Sequence, residues 1–424
     1  VDAGNGFADL QPLKKLIGPA RLVALGEATH ATREFFQLKH RMLEFLVTEM
    51  GFTVFAMEAP MAEAFDVNTY VLTGQGDPLK ALAGLYAWWL DTEEMLAMIE
   101  WMRRYNADPL HVKKVTFHGF DLQYAPRAVK VVQDYLNKVD PAQARAFANS
   151  LGVMGNPFTS APSTHFSSDI KSTSLGRQSA EWKEAAAASV RTILRSLDED
   201  VPGDVRQGST VERAVVRQHA SILGQIIEGA RKIDAGDYSG ASHFRDSAMA
   251  GNVRWILDHE GPESKVVIWA HNGHVADATE YGVALKTMGS HLRRTFGRDL
   301  VVFGFAFNQG SFQALGLPWP SEDGARAFSV GPAPAGSLDA TLAATGLKVA
   351  AIDLHALPGA GPITDWFDAG QLTRSIGVPY SEASAAMRVL KQQVARVYDA
   401  LFFVEHTDAI RLNPGGRRPG EQRL

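Results

Sequence analysis

Short apolar runs alternate with a helix-like segment near the start of the chain. The run 21–26 ends at a glycine and predicts a buried strand. Apolar positions from Thr32 to Met50 recur at helical spacing, and Gly51 follows them as a helix-terminating glycine does. A second apolar run, 52–57, predicts another buried strand. Because a strand, a helix and a strand follow one another so closely, the segment predicts a βαβ unit with parallel strands.

The same patterns predict the rest of the fold. Further strands are expected at residues 115–121, 265–270, 300–307, 348–354 and 398–404. Helices are expected between residues 61 and 105, through most of 141–259, and from 381 to 396. We therefore expect an α/β fold with a mostly parallel central sheet flanked by helices. Residues 1–424 are expected to form one domain, in which the helical insertion 141–259 can serve as a lid subdomain.

Composition narrows the class of protein. The chain has 424 residues, 46% of them hydrophobic, which is enough for a large core. Its net charge of -5 and the lack of a basic stripe disfavour nucleic-acid binding. No apolar run is long enough for a transmembrane helix, and the absence of cysteine excludes disulfides and thiolate chemistry. We expect a cytoplasmic protein that acts on a small molecule; an exported mature form and the oligomeric state are left open.

Ionisable side chains gather at the ends of four predicted strands. They are Glu27 and His30 after the first strand, Glu58 after the second, His118 and Asp121 at the third, and His271 and His274 after the fourth. Because the carboxyl ends of parallel strands meet at one edge of a sheet, these side chains are expected to line one crevice. Each alone fits a helix cap or a structural hydrogen bond. The whole set fits a site better, since buried unpaired charges are costly.

Two kinds of chemistry suit this set of residues. A neutral histidine oriented by a carboxylate can take a proton from water, and the remaining polar groups can stabilise an oxyanion. The same side chains can instead hold zinc, manganese or iron. The sequence has no Gly-x-Ser-x-Gly elbow, no Gly-x-x-x-x-Gly-Lys-[Ser/Thr] loop and no His-Glu-x-x-His helix, which disfavours the corresponding enzyme classes. Direct and metal-dependent hydrolysis both stay open at this point.

Several motifs, in this order, resemble the erythromycin esterase family. They are Leu25–Phe35, Lys39, Gly51-Phe52, Glu58, Gly119–Asp121, Arg245–Asn252, Trp269–His274, Met288-Gly289 and the region 303–312. The resemblance spans roughly residues 22–312 and extends with fewer matches to the last predicted strand. Its motifs are specific to the family more than to one substrate.

The resemblance implies a carboxylic ester hydrolase that opens the macrolactone ring of fourteen-membered macrolide antibiotics, an antibiotic-resistance activity, without a metal or other cofactor. It makes His30 the general base that activates water. The other catalytic residues it implies are Glu27, Glu58, His271, His274 and Lys39. The substrate contacts we expect are Arg33, Asp121, Trp88 and Trp89.

Lys39 is where this chain departs from the family. Macrolide-inactivating members carry an arginine there, and lysine keeps the charge but loses the planar fork. The departure bears on the substrate more than on the reaction. Two alternatives stay open: a metal-dependent hydrolase with the same Glu/His cluster, and a non-catalytic haem-binding protein with Met249 or the histidines as ligands.

Overall fold

The computed structural model describes residues 6–155, 175–198, 210–277, 287–316, 325–377, 379–383 and 388–414. Its strands are β1 Leu22–Leu25, β2 Val54–Pro60, β3 Thr116–Asp121, β4 Val266–Trp269, β5 Leu300–Gly316, β6 Ala325–Val330, β7 Val349–Asp353, β8 Gln371–Arg374, β9 Pro379–Tyr380, β10 Val389–Gln392 and β11 Ala400–Thr407. All seven predicted strands are present, as β1 to β5, β7 and β11.

The main sheet has the strand order β3-β2-β4-β1-β5-β11-β7. The strands from β3 to β11 in this order are parallel, and β7 joins the edge antiparallel to β11. Beyond the parallel core, the long β5 continues and pairs with β6 and β9. β8 and β10 form a separate antiparallel pair. The predicted class, a mostly parallel central sheet flanked by helices, is confirmed.

Helices precede, separate and flank these strands. They are α1 Leu13–Ile17, α2 Arg33–Met50, α3 Ala64–Thr73, α4 Pro78–Ala83, α5 Glu93–Ala107, α6 Pro126–Val139, α7 Pro141–Leu151, α8 Ala180–Asp198, α9 Thr210–Asp234, α10 Tyr238–Glu260, α11 Asn272–Val275, α12 Met288–Phe296, α13 Leu338–Ala343, α14 Pro362–Asp368 and α15 Val394–Val397. Across the described residues, no helix has the length and apolar character needed to cross a membrane.

The first βαβ unit has the predicted form. All four residues of β1 are buried, as expected for a strand with neighbours on both sides and helices on both faces. α2 ends at Gly51, which adopts a φ of 72° in the left-handed region that favours glycine. β1 and β2 then lie on either side of β4, so the unit spans the middle of the sheet.

The core is divided by the sheet into two hydrophobic clusters. Leu22 and Ala24 belong to one cluster and Val23 and Leu25 to the other, because alternate residues of a strand point to opposite faces. Helices α6 to α10 contribute to the first cluster, and α2, α3 and α5 to the second. The described part of the insertion 141–259 therefore shares its core with one face of the sheet; residues 156–174 and 199–209 lie outside the described residues.

The helix predicted from 381 to 396 is wrong for most of the residues that the structure describes there. Residues 389–392 form β10, which pairs with β8, and only 394–397 are α-helical; residues 384–387 lie outside the described residues. Local spacing missed the strand because its pairing with β8, 15 to 21 residues earlier, leaves no mark in the local apolar pattern. β5 is also longer than expected: residues 308–316 continue it, with β6 as their antiparallel neighbour.

Candidate active site

The turn after β1 brings a glutamate and a histidine together. Glu27 is buried, and its Oε1 lies 2.7 Å from His30 Nδ1. Gly26 precedes them, where a Cβ would lie 2.2 Å from Asn272 Oδ1. That asparagine holds β5 through both the N–H and the C=O of Phe305. The turn therefore requires glycine, because a side chain there would displace Asn272 from β5.

The second oxygen of Glu27 is held from two other elements. Lys39 of α2 donates to Oε2 at 2.6 Å, and the indole N–H of Trp269 in β4 donates to the same oxygen at 2.9 Å. Lys39 is fully buried, with its ammonium 4.2 Å from the centre of the Trp269 ring. Burial acts to raise the pKa of Glu27, but Lys39 and His30 together lower it to about 2. Burial lowers the pKa of Lys39 to about 8, against the opposing effect of Glu27. Glu27 is thus ionised at neutral pH.

His271 faces His30, with ring centres 4.8 Å apart. Its main-chain N–H donates to Glu58 Oε2 at 3.0 Å, and its Nδ1 accepts from the N–H of Gly273 at 3.1 Å. Burial lowers the pKa of His271 to about 3, so the ring is neutral. Because Nδ1 accepts, the hydrogen of the neutral ring is on Nε2. That Nε2–H is buried and makes no hydrogen bond among the described residues.

A buried arginine joins the ends of β2 and β3. Arg245 of α10 donates from Nη2 to Glu58 Oε1 at 2.8 Å and to Asp121 Oδ2 at 2.6 Å, and from Nε to Asp121 Oδ1 at 3.0 Å. Burial acts to lower the pKa of Arg245, but Asp121 and Glu58 raise it. The pKa of Glu58 lies well below its ordinary value; burial opposes this, while His274 and Arg245 favour the charge. The insertion thus supplies the cation that holds two strand ends together.

His274 lies between carboxylates at the start of α11. Its Nδ1 is 2.8 Å from Asp246 Oδ1, and its Nε2 is 3.3 Å from Glu58 Oε1. Burial acts to lower the pKa of His274, but Asp246 and Glu58 raise it to about 10. Arg245 Nη1 lies 3.0 Å from Nε2 and opposes that effect. His274 and His271 are therefore held in opposite charge states by their surroundings.

The remaining predicted site residues do not share one location. Asp121 is buried with both oxygens bound to Arg245, behind the strand ends. The Trp89 ring is half-buried, 5.6 Å from the His30 ring, whereas Trp88 is buried in the core. Arg33 lies 3.6 Å from Glu94 at the start of α5. Lys39, predicted above to be catalytic, is fully buried and bound to Glu27.

Two residues outside the cluster also have clear positions. His118 is bound to Glu260 at 2.8 Å and so joins β3 to the end of α10. Met249, the haem-ligand candidate, is fully buried in the core. Within the residues that the structure describes, no three His, Asp or Glu side chains come together in the manner of a metal site.

Sequence reasoning missed Arg245 and Asp246 as members of the site. Both lie in the segment Arg245–Asn252 that resembles the family, and that resemblance is the signal that could have pointed to them. Trp269 was also missed, although it ends a buried strand whose next residues were expected in the site. Arg245 meets Asp121 across 124 positions and Trp269 meets Glu27 across 242, while Asp246 lies 28 positions from His274, so only the fold shows the contacts.

Fold and site together define an α/β protein in which histidines bound to carboxylates line the carboxyl edge of a parallel sheet. The sequence profile of the family described as Erythromycin esterase matches residues 47–407. The chain belongs to the erythromycin esterase family, and it is an enzyme of the ester hydrolase class.

Proteins similar to this chain in sequence or in structure carry different names. Erythromycin esterase type II of Escherichia coli is 26% identical over 339 residues, which is 77% of each chain. A crystal structure of a succinoglycan biosynthesis protein has a TM-score of 0.79 and 25% identity, over 97% of this chain and 94% of that one. A mutant of the erythromycin esterase EreC in its open conformation has a TM-score of 0.67 and 17% identity, over 95% of this chain and 94% of its own.

Proposed function

We propose that this chain hydrolyses a cyclic carboxylic ester, the macrolactone of a fourteen-membered macrolide, by direct attack of water. The observation that carries the proposal is the pairing of His30 with His271. His30 is held by an ionised carboxylate on one side, and it faces a neutral histidine with an unused N–H on the other. A base and an oxyanion donor beside each other are what ester hydrolysis by water requires.

The proton movements follow from the hydrogen bonds. Glu27 is ionised and can only accept, so His30 Nδ1 carries a hydrogen and Nε2 is free to act as a base. Water gives a proton to Nε2 as its oxygen attacks the ester carbon. The Nε2–H of His271 donates to the carbonyl oxygen as that oxygen becomes an anion. The C–O bond then breaks, and His30 returns the proton to the leaving alkoxide.

Glu58 and Arg245 act as positioning residues in this mechanism. Glu58 binds the main-chain N–H of His271, so it fixes the residue that donates to the oxyanion. Arg245 in turn fixes Glu58 and neutralises its charge. We assign His274 the same kind of role, because its ring is held between the carboxylates of Asp246 and Glu58.

Metal-independent hydrolysis is supported by the charge balance of the carboxylates. Glu27 is paired with Lys39, and Asp121 with Arg245, each at 2.6 Å. Glu58 is shared between Arg245 and His274. A divalent cation would need these oxygens, and it would have to displace buried ammonium or guanidinium groups that then lack a partner.

The macrolide assignment rests on the family and on the surroundings of His30. The Escherichia coli relative is named for erythromycin, and Trp89 offers an apolar ring beside His30 for a large ligand. Lys39 does not argue against a macrolide, because its ammonium is enclosed with Glu27. We propose that lysine at this position changes the support of Glu27 and not the surface that the substrate touches.

We also propose that residues 1–424 form a single domain and that the insertion 141–259 works as part of the site. Arg245 and Asp246 belong to that insertion, and they are buried against Glu58 and His274. Displacing α10 would leave these carboxylates without their cation. The insertion therefore supplies a wall of the site through α10, and α10 itself does not move as a lid.

The decisive experiment is hydrolysis of erythromycin with excess chelator, followed by mass spectrometry of the ring-opened acid. Wild type should remain active, and His30→Ala should lower kcat/KM by about 10²–10⁴-fold. The matched control is His111→Ala, because His111 stacks on Tyr105 and takes no part in the site. Full activity of His30→Ala would end its role as base. Stoichiometric bound metal with loss of activity in chelator would favour the metal-dependent reaction, and a Soret band on haem titration would favour haem binding.

A panel of substrates separates the reaction from the substrate. Macrolides of different ring size should be compared with simple lactones and linear esters. Hydrolysis of lactones that needs His30, with no turnover of any macrolide, would keep the mechanism and overturn the macrolide assignment.

A further inference from the structure

A cavity lies among β6, β8, β9 and β10, and the Glu27–His30 pair is not part of it. Its volume is about 490 Å³, which is in the range of small-molecule sites. It is lined by residues of β6, β8, β9 and β10 and of the loop 331–334, and no residue of the candidate active site lines it. The features of this cavity are separate from the chemistry described above.

The cavity contains a buried arginine whose guanidinium has no carboxylate partner among the described residues. Arg374 is 7% exposed. Its Nε donates to the carbonyl of Asn308 at 3.1 Å and its Nη2 to the carbonyl of Gly331 at 2.6 Å. The nearby Asp339 accepts from the main-chain N–H of Arg374 and from the Thr373 hydroxyl, but not from the guanidinium.

The donors of Arg374 are only partly used. A guanidinium has five N–H groups, and the two carbonyls take two of them. The Phe307 ring centre lies 5.6 Å from Cζ, so the charge rests on an aromatic side chain. Asp339 favours the charge from beyond ion-pair distance. A cation that is hydrogen-bonded only to neutral groups and lines a cavity is suited to receive an anion from that cavity.

A tyrosine completes the polar part of the cavity. Tyr380 is 1% exposed, and its ring packs edge-on against Phe312 and Phe328 at 5.0 and 5.1 Å. Its hydroxyl makes no hydrogen bond within the described part of the chain, although the residue lines the cavity. Arg374 acts electrostatically on this hydroxyl. The two side chains therefore offer an anion one charged and one neutral donor.

The remaining lining selects the kind of anion. Pro332, Pro334, Val389 and the 44% exposed Leu372 are apolar, and they would be covered by an apolar ligand body. Glu382 at the rim disfavours a second negative charge on the ligand. A phosphate dianion fits this lining less well than a carboxylate attached to a hydrocarbon.

We propose that this cavity binds a small amphipathic monocarboxylate, with Arg374 and Tyr380 holding the carboxylate and the apolar lining holding its body. The site is independent of the proposed ester hydrolysis. Ile376, two residues after Arg374, donates its N–H to the carbonyl of Ala28 in the catalytic turn at 2.7 Å, so the cavity is linked to that turn by two residues of chain and one hydrogen bond.

The test is calorimetric titration of the full chain with 4-phenylbutyrate, and with 4-phenylbutyramide as the uncharged analogue. The acid should bind saturably, and the amide about tenfold or more weakly. Arg374→Met should weaken binding of the acid by about 10–100-fold, and Tyr380→Phe by about 3–10-fold. Arg326→Met is the matched control, because Arg326 is an exposed arginine of the adjoining β6 that stacks on Phe328; it should leave binding unchanged.

Further variants and ligands are needed to interpret the titration. His30→Ala should bind the acid as wild type does, which separates this cavity from the active centre and from the fate of the proposed hydrolysis. Arg374→Lys, which keeps the charge, and Tyr380→Phe serve if Arg374→Met does not fold. Equal binding of acid and amide, wild-type affinity in Tyr380→Phe and Arg374→Lys alike, or tighter Arg374-dependent binding of inorganic phosphate would overturn the proposal.

Discussion

The buried pair of Glu27 and Lys39 gives a prediction that separates stability from catalysis. Lys39→Met removes the ammonium while filling similar space between the Trp269 and Phe305 rings. It leaves the Glu27 carboxylate buried with two neutral donors at most. We expect the single variant to be destabilised, and the double variant Glu27→Gln/Lys39→Met to regain stability without regaining activity.

The pKa values of the two partners set the magnitude. Lowering the pKa of Glu27 from 4.5 to about 2 corresponds to about 3 kcal/mol in favour of folding at neutral pH. Lowering the pKa of Lys39 from 10.5 to about 8 corresponds to a similar amount against it. The attraction between the two charges is part of both shifts, so the pair as a whole does not stabilise the fold, whereas removing one partner of such a pair costs about 3–5 kcal/mol.

The assay is thermal unfolding at pH 7, at one fixed scan rate, together with the rate of ester hydrolysis. For a chain of 424 residues, 1 kcal/mol shifts Tm by about 1 °C. Lys39→Met should thus lower Tm by about 3–5 °C, and the double variant should lie within about 2 °C of wild type. Both should lose at least about 100-fold in kcat, since the ionised carboxylate that orients His30 is unpaired in one and absent in the other.

A matched control variant and two possible results test the prediction for Lys39. Lys265→Met removes a lysine that lies 5.5 Å from the Phe52 ring centre and donates to the carbonyl of Met50, so Tm should change by no more than about 1 °C. The reasoning fails if Lys39→Met is as stable as wild type. It also fails if the double variant is as unstable as the single one.

Three further predictions follow from the site. His271→Ala should lower kcat by about 10²–10³-fold with little change in KM, because the proposed oxyanion donor is lost; a rise in KM with unchanged kcat would argue for a binding role instead. The charged His274 stabilises the fold fully below pH about 6.5, and that stability is lost as pH rises towards about 10, so Tm of His274→Gln should fall less than that of wild type between pH 7 and 10. Gly26→Ala should lower Tm and activity by displacing Asn272, whereas Gly251→Ala, with open space around its Cβ position in a helix, should stabilise by about 0.5–1 kcal/mol.

The residues at the strand ends could be predicted because each depends on local pattern. Glu27, His30, Glu58 and His271 directly follow or end apolar runs, and parallel strands place such residues at one edge of the sheet. The structure brings these four side chains to the same edge of the sheet. The separation of charge states, with a neutral His271 and a charged His274, could not be read from the sequence, because it arises from which side chains bury each ring.

What the sequence missed depends on contacts between distant segments. Arg245 has the pattern of any helical arginine until α10 packs against β3, which brings it to Asp121. Residues 389–392 have no local feature that distinguishes a strand from a helix, and their pairing with β8 decides the matter. Helical spacing alone therefore gave a helix there.

The strand order has a consequence for how the chain folds during synthesis. β1 lies between β4 and β5, and both of these strands come more than 200 residues later in sequence. β2 and β3 can pair with each other soon after they leave the ribosome, but β1 has no neighbour until residues 266–269 are made. The turn that carries Glu27 and His30 is thus among the first parts of the chain to be translated and among the last to gain its place, so these two residues cannot meet His271 until most of the protein exists.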